Sequence, residues 1–200
     1  MKKKFLNSSI DILRKNGNYS EEEIEIILYG LEGVYLTFTK MIVIFSLAYM
    51  LNLWKEVILL LITFNIIRSQ AFGLHASKSI YCLILSILMF IGGAIICKYV
   101  TFPGWFLICS AVICNICLLL YAPADTHKRP IVNSKKRKKF KYISFSLGFI
   151  YTFLIFLFRN SYIVNYLLFG MIEAVLMILP ISYSIFKMPY NNYKTYCSGV

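Results

Sequence analysis

The run IYCLILSILMFIGGAIICKY, Ile80–Tyr99, has 20 residues and carries one charged side chain, Lys98, near its end. At about 1.5 Å per residue, a helix of this length can cross the roughly 30 Å hydrocarbon core of a bilayer. The 200-residue chain around it is 59% hydrophobic, and its mean hydropathy is +0.69. The sequence therefore predicts an integral membrane protein built from helices.

Six apolar runs predict an all-α, polytopic fold with about six transmembrane helices. The second run is short, because its 14 residues cover only about 21 Å. It must continue into residues 68–73 or stop within the bilayer. The predicted bounds of the six runs are Val34–Leu53, Trp54–Ile67, Ile80–Tyr99, Phe102–Tyr121, Ile143–Phe158 and Tyr162–Phe186.

The residues before the first run predict two amphipathic helices. Leu6, Ile10 and Leu13 recur with helical spacing, which is typical of a helix lying in the headgroup layer. Ser20 and Glu23 have the spacing of a capping box and predict the start of a second helix. We expect one membrane domain over residues 1–200, with N-terminal helices at 1–33, a helix bundle at 34–186 and a cytoplasmic tail at 187–200.

The positive charge is concentrated after Tyr121, where a loop carries eight Lys or Arg residues and one acidic residue, Asp125. The positive-inside rule places this loop in the cytoplasm, and counting spans places both termini and residues 68–82 there as well. The 21 Lys and Arg residues outnumber the 9 Asp and Glu residues. Because these charges lie at the ends of apolar runs, they indicate contact with lipid headgroups and not with nucleic acid.

Most of the six cysteines lie inside apolar runs, which argues against a disulfide framework. Cys109, Cys114 and Cys117 imitate the spacing of an iron–sulfur site. A cluster needs a loop that wraps around it, whereas these three residues belong to one apolar helix. We interpret them as small buried hydrophobic residues and expect no metal or organic cofactor.

The stretch RSQAFGLHASKSIYC, Arg68–Cys82, is unusually polar for a segment between two spans. Ionisable groups at a membrane edge are costly and often functional. If Ser79 caps the third span, Cys82 becomes its third helical residue, where free amides and the helix dipole favour a thiolate. Lys78 has a simpler explanation, since its side chain can extend into anionic headgroups.

His75 lies seven residues before Cys82, and on one continuous helix the two would stand about 10 Å apart along the axis. That separation is too long for proton transfer. A catalytic pair therefore requires the chain to fold back between them, and Gly73 supplies a residue at which it can turn. The spacing permits this arrangement but does not require it.

Two motifs resemble those of the accessory gene regulator B (AgrB) family, whose members are membrane cysteine endopeptidases that process the precursor of a quorum-sensing peptide. The first is Arg68, four residues, Gly73, one residue, His75, six residues and Cys82. The second is YAPADTHKRPI, Tyr121–Ile131, which follows the fourth run as it does in that family. The resemblance covers nearly the whole chain.

The resemblance implies that Cys82 attacks a peptide bond of a small amphipathic AgrD-like precursor, with His75 as general base. The N-terminal part of the precursor is then held as a thioester on Cys82. An internal Cys or Ser of the precursor attacks this acyl group and closes a thiolactone or lactone ring. The resemblance also implies a homodimer.

The remaining residues of the motifs have supporting roles in this interpretation. Arg68 can donate bidentately to a precursor carboxylate or support an oxyanion, and Gly73 lets the backbone turn toward His75. Lys128 and Arg129 can capture an acidic precursor tail, although orienting the protein in the membrane explains them equally well.

The sequence does not identify a third catalytic residue. Asn65, Gln70 and Asp125 can orient His75 only if folding brings them near it. We assign no catalytic role to His127.

Two other function classes compete with the peptidase. A small transporter or channel for peptides or ions is suggested by Glu173 near the middle of the last span and by polar residues in other spans, namely Lys40, Asn65, Asn115 and Asn165. A structural pair between Glu173 and Lys40 or an Asn is a simpler explanation. A non-catalytic scaffold that recruits a partner through its basic loop would leave Arg68, His75 and Cys82 unexplained.

Overall fold

The computed structural model describes residues 20–74, 79–126 and 130–194. Most of these residues lie in helices and none lies in a β-strand, which confirms the predicted all-α class. The chain divides into two compact units, Met1–Leu47 and Ala48–Val200. The predicted interfacial helix around Leu6, Ile10 and Leu13 lies outside the described residues, and so do residues 195–200.

Eight α-helices and one π-helical segment make up the described part of the chain. They are α1 Glu21–Met50, α2 Trp54–Ala71, α3 Ser79–Ile87, the π-helical segment Leu88–Gly92, α4 Gly93–Tyr99, α5 Gly104–Tyr121, α6 Ser134–Leu157, α7 Ile163–Leu176 and α8 Pro180–Ile185. The third predicted run thus forms α3, the π-helical segment and α4 in direct succession.

Four helical stretches of the described residues are long and apolar enough to cross a membrane: Gly33–Met50, Ile80–Tyr99, Gly104–Tyr121 and Ser134–Leu157. α2 is also 18 residues long but contains three charged residues. α7 is apolar but has only 14 residues. The arrangement is roughly consistent with the predicted six spans and indicates a membrane protein.

The capping box at the start of α1 is confirmed. The amide of Glu23 donates to the hydroxyl of Ser20 over 3.2 Å, and the amide of Ser20 donates to Oε2 of Glu23 over 2.8 Å. From there α1 runs without a break to Met50. The predicted second N-terminal helix and the first span are therefore one helix, which ends three residues before the predicted Leu53.

Two predicted boundaries move because polar residues join helices. α2 continues to Ala71, so of the two alternatives for the short second run, extension into the residues after Ile67 is the one observed. α6 begins at Ser134 instead of Ile143, and the side chain of Asn133 accepts from the amides of Lys135 and Lys136 at 3.0 and 3.1 Å. The basic residues after position 134 thus lie on a capped helix, whereas the sequence interpretation placed them in a loop.

The last predicted span is two helices instead of one. α7 ends at Leu176, and α8 starts at Pro180 after an extended Leu179 with φ −64° and ψ 138°. Proline lacks the amide that would continue a helix and restricts the residue before it. After α8, the described residues continue to 194, and Asn192 among them is buried.

Close contacts between helices organise the unit Ala48–Val200, in which α2 packs against α7 and α5 packs against α6. The hydroxyl of Thr63 donates to the carbonyl of Tyr166 over 2.9 Å, and the hydroxyl of Tyr151 donates to the carbonyl of Thr63 over 3.0 Å. A Cβ atom on Gly170 would overlap Thr63. Small residues at such crossings let helix backbones approach closely.

Candidate functional site

The chain turns sharply where α2 ends. Phe72 has φ 55° and Gly73 has φ 116°, which is a backbone region that favours glycine. A Cβ atom at Gly73 would overlap the guanidinium of Arg68 and lie 2.5 Å from the carbonyl oxygen of Met177. Both the backbone angle and the available space therefore require glycine at this turn.

Arg68 holds the turn together. Its Nη1 donates to the carbonyl of Phe72, and its Nη2 donates to the carbonyls of Gly73 and Leu74 at 3.1 and 2.6 Å. A planar guanidinium can serve several acceptors at once, which an ammonium on a flexible stem does less well. Arg68 thus fixes the backbone up to the residue that precedes His75.

The two sequence motifs meet at this turn. The amide of Ala124 donates to the carbonyl of Ala71 over 3.0 Å, and Phe72 and Ala124 form an isolated parallel bridge. On the other side, the amide of Leu74 donates to the carbonyl of Met177 over 2.8 Å. The segment before His75 is therefore fixed between residues 122–126 and the end of α7.

Asp125 is a buried acceptor that binds the end of the described chain. Its carboxylate accepts from the amide of Asn192 at 3.0 Å and from that of Tyr193 at 2.8 Å. Its backbone carbonyl accepts from the hydroxyl of Tyr183 at 3.0 Å. The side chain of Asp125 is only 1% exposed, so its charge needs these partners.

A cation completes this cluster. Nη1 of Arg137, near the start of α6, lies 3.7 Å from Oδ2 of Asp125. The guanidinium carbon of Arg137 lies 3.4 Å from the centre of the Tyr193 ring, a cation–π contact. Asp125 therefore links the motif segment, α6 and residues 192–193.

Cys82 lies in the first turn of α3 and is half-buried. Ser79 is itself part of α3, so it is a helical residue and not the cap that the sequence suggested. The carbonyl of Cys82 accepts from the hydroxyl of Ser86 at 2.8 Å. Arg68 is close enough to interact electrostatically with Cys82.

A family model described as Accessory gene regulator B matches residues 6–179. The chain belongs to the accessory gene regulator B (AgrB) family. The resemblance found in the two motifs is thereby confirmed. Membership of the AgrB family gives the chain a role in the accessory gene regulator system of quorum sensing.

Curated AgrB relatives are similar over most of their length. A putative AgrB-like protein of Clostridium acetobutylicum is 34% identical over 90% of this chain and 88% of its own length. The accessory gene regulator protein B of Staphylococcus aureus is 30% identical over 86% of this chain and 91% of its own length. A putative AgrB-like protein of Listeria innocua is 26% identical over 84% and 82%. No solved structure matches the chain.

Several residues of the AgrB motifs lie outside the described residues. They are His75, which was assigned as general base, Lys128 and Arg129, which were assigned to precursor capture, and His127 and Lys78. In sequence, the nearest described residues are Leu74, directly before His75, and Ser79, four residues after it. Within the AgrB site, Arg68, Gly73 and Cys82 are thus the predicted residues whose surroundings can be given.

The three polar residues left open as partners of His75 have other contacts. The side chain of Asn65 donates to the carbonyl of Leu61 on its own helix at 2.7 Å, and Gln70 donates to the hydroxyl of Ser69 at 3.3 Å. The carboxylate of Asp125 accepts hydrogen bonds from the backbone amides of Asn192 and Tyr193. The sequence did not reveal this role of Asp125, although its place inside the second AgrB motif marked the residue.

The cysteines of α5 face in different directions. Cys114 is buried and Cys117 is half-buried, as expected for small hydrophobic residues, but Cys109 is exposed. The prediction of burial was therefore wrong for Cys109. The described residues contain no group of three or more metal-binding side chains.

Glu173 is buried in α7 and is 5% exposed. Its Oε1 lies 2.7 Å from the position that a Cβ atom would take on Gly93, and its Oε2 has no hydrogen-bond partner among the described residues. The amide of Asn165 donates elsewhere, to the carbonyls of Cys97 and Val100. Among these residues, the suggested pairing of Glu173 with Asn165 is therefore not formed.

Proposed function

We propose that this AgrB-family protein is a membrane cysteine endopeptidase that cleaves an AgrD-type precursor and passes the product to a ring-closing step. Family membership implies interaction with an AgrD-type precursor peptide. The observation that carries the finer proposal is the arrangement of the first motif. In sequence, Arg68 and Gly73 precede and Cys82 follows the segment that contains His75, the one residue of the motif suited to general-base catalysis.

The position of Cys82 supports its role as nucleophile. The first turn of a helix presents unpaired amides and the positive end of the helix dipole, and both favour a thiolate. The guanidinium of Arg68 adds a positive charge nearby. The same amides provide donors for the oxyanion that forms when a peptide carbonyl is attacked.

The reaction has two acyl-transfer steps. His75 takes the proton from Sγ of Cys82, Sγ bonds to the carbonyl carbon of the precursor, and the C–N bond breaks as His75 gives that proton to the leaving amine. The N-terminal part of the precursor remains as a thioester on Cys82, and the C-terminal part leaves. An internal thiol or hydroxyl of the precursor then attacks the thioester, forms the thiolactone or lactone and releases Cys82.

The thioester must meet the precursor's own nucleophile before it meets water. Cys82 is half-buried at one end of a strongly apolar helix, a position that limits access of water. A bound precursor also places its internal nucleophile at high effective concentration. The surroundings of Cys82 therefore favour cyclisation over hydrolysis.

Arg68 and Gly73 position the catalytic segment in this proposal. The three carbonyls bound by Arg68 include that of Leu74, which is bonded covalently to His75. A further role of Arg68 in binding a precursor carboxylate or supporting the oxyanion is part of the proposal, and so is capture of an acidic tail by Lys128 and Arg129. We also propose a homodimer with its catalytic residues and both termini on the cytoplasmic side of the cell membrane.

The test is coexpression with the AgrD-type precursor encoded beside this protein, followed by measurement of precursor size. We expect the wild type to shorten the precursor and Cys82→Ala to leave it intact. Cys109→Ala is the matched control, because Cys109 is exposed and lies in another helix. An intact precursor with the wild-type protein would instead fit a non-catalytic scaffold.

The buried carboxyl of Glu173 favours a second candidate, a transporter or channel for peptides or ions. Buried ionisable groups in membrane helices often mark ion or proton pathways. Transport would depend on Glu173 and survive Cys82→Ala, whereas peptidase activity has the opposite requirement. Uptake or export by reconstituted vesicles containing each variant separates the two candidates.

A further inference from the structure

A cavity of about 390 Å³ lies beside the Asp125 cluster. Its walls come from the end of α5, the first two turns of α6 and residues 190–193. The side chains that matter here are those of Tyr121, Lys138, Lys141, Tyr190 and Tyr193. The volume lies within the range of about 300–1,000 Å³ that is usual for small-molecule sites.

The charge of this cavity is positive. Its lining contains three cationic residues and no acidic one. The positive charge of Arg137 is balanced by Asp125, 3.7 Å away. Lys138 and Lys141 have no such acidic partner among the described residues, and their spacing of three places them on one side of α6. The cavity therefore suits an anion.

The tyrosines add neutral hydrogen-bond donors. A tyrosine phenol keeps its proton at neutral pH, and burial raises the pKa of Tyr190 further. The ring of Tyr193 is already covered by Arg137. A site with cations and phenol donors but no carboxylate fits the oxygens of a phosphate group.

The cavity lies at the end of a membrane-spanning stretch, and this position indicates which kind of molecule carries the phosphate. Tyr121 is the last residue of a membrane-spanning stretch, and Lys138 and Lys141 lie in the first two turns of α6, before its apolar part. Leu120, which also lines the cavity, is 62% exposed on the apolar helix surface. Lysines and tyrosines at the end of a span lie at the level of lipid headgroups.

We infer that this cavity binds the phosphate of an anionic phospholipid headgroup. The exposed apolar surface at Leu120 receives the acyl chains, and Lys138 and Lys141 bind the phosphate. An acidic peptide would use the cations equally well but has no need of an adjoining lipid-facing surface. Cys82 is not among the residues that line the cavity, and the inference does not depend on the proposed peptidase activity.

Native mass spectrometry of the full chain in detergent tests this inference. The probe is phosphatidylglycerol, with phosphatidylcholine added at equal concentration as the zwitterionic comparison, whose phosphate is neutralised by its own ammonium group. We expect the wild type to retain one phosphatidylglycerol in preference to phosphatidylcholine. Lys138→Gln with Lys141→Gln should weaken this binding about 30-fold, since each cation near a headgroup contributes roughly fivefold.

The matched control is Lys135→Gln with Lys139→Gln, which removes the same charge from the same helix but outside the cavity lining. We expect this control to bind like the wild type, and Lys138→Arg with Lys141→Arg to restore binding. Equal losses in the two double variants would overturn the site, because only net charge would then matter.

Two competitors identify the source of the phosphate. Inorganic phosphate at millimolar concentration should leave phosphatidylglycerol in place, because it lacks acyl chains. Displacement by phosphate would assign the cavity to a soluble anion and contradict the inference. Binding of a short oligoglutamate that requires Lys138 and Lys141, without binding of phosphatidylglycerol, would assign it to an acidic peptide and contradict it equally.

Discussion

The amide of Ala124 donates a hydrogen bond to the carbonyl of Ala71 across 3.0 Å. This bond joins two AgrB motifs that are about fifty residues apart in sequence. It brings the segment that leads to His75 against the segment that contains Asp125. The AgrB signature therefore describes one assembled region at the end of the bundle, and changes in either motif should affect the other.

Gly73→Ala should disturb this region more than any other single methyl group added nearby. The alanine would have to adopt the φ of 116° that Gly73 has, and its Cβ would lie 2.5 Å from the carbonyl oxygen of Met177. Strain of this kind costs about 2 kcal/mol, and we expect precursor cleavage to fall at least about tenfold. Gly92→Ala is the control, because nothing lies within 4 Å of its added Cβ. Equal activity in the two variants would contradict the assigned strain.

Arg68→Lys separates geometry from charge. Lysine keeps the positive charge but cannot bind the carbonyls of Phe72, Gly73 and Leu74 together. We expect hydrogen exchange at the Leu74 amide to accelerate at least about tenfold, since hydrogen bonds to a charged group contribute about 1.5–3 kcal/mol each. Cleavage should fall as well. Arg159→Lys, at an exposed site, should change neither; unchanged exchange in Arg68→Lys would show that charge alone is needed.

Asp125→Asn should loosen residues 192–194. The substitution keeps the shape of the side chain but removes the partner of Arg137 and weakens the bonds from the amides of Asn192 and Tyr193. Breaking a buried ion pair costs about 3 kcal/mol. We expect a lower unfolding temperature and faster tryptic cleavage after Lys194.

The control for this variant is Glu56→Gln, which breaks the pair between Glu56 and Lys98 at 3.0 Å. Both of these side chains are partly exposed, so the loss should be below about 1 kcal/mol. Similar unfolding temperatures for Asp125→Asn and Glu56→Gln would mean that Asp125 does not hold the end of the described chain.

Glu173→Gln tests the transport alternative. Glutamine fills the same buried space beside Gly93 but cannot ionise. If the protein is a peptidase that does not use this carboxyl, precursor cleavage should stay within about twofold of wild type, as for substitutions away from a catalytic group. Lost cleavage in a variant that folds normally would require a role for Glu173 in the reaction.

Local sequence patterns predicted the spans well because apolar runs of membrane length leave few alternatives. The errors occurred where a helix begins with polar residues and where a proline interrupts an apolar run. Lys135–Lys141 looked like a loop, yet Lys and Arg form helices readily and Asn133 caps this one. The break after α7 was missed, although Pro180 marks it.

The contacts of the candidate site were not predictable from local patterns. The sequence did not predict that the donors of Arg68 bind the backbone carbonyls of residues 72–74. The hydrogen bonds from Asn192 and Tyr193 to Asp125 join positions almost seventy residues apart. No periodicity or spacing records such pairings, because they arise only when helices pack.

The most direct measurement is intact mass spectrometry of the reconstituted protein after mixing with its AgrD-type precursor. We expect the wild type to carry an adduct with the mass of the precursor's N-terminal part. Hydroxylamine should remove this adduct, and Cys82→Ala and His75→Ala should not form it. Cys109→Ala should carry the adduct as the wild type does. A precursor that binds but gives neither adduct nor cleavage would contradict the peptidase proposal.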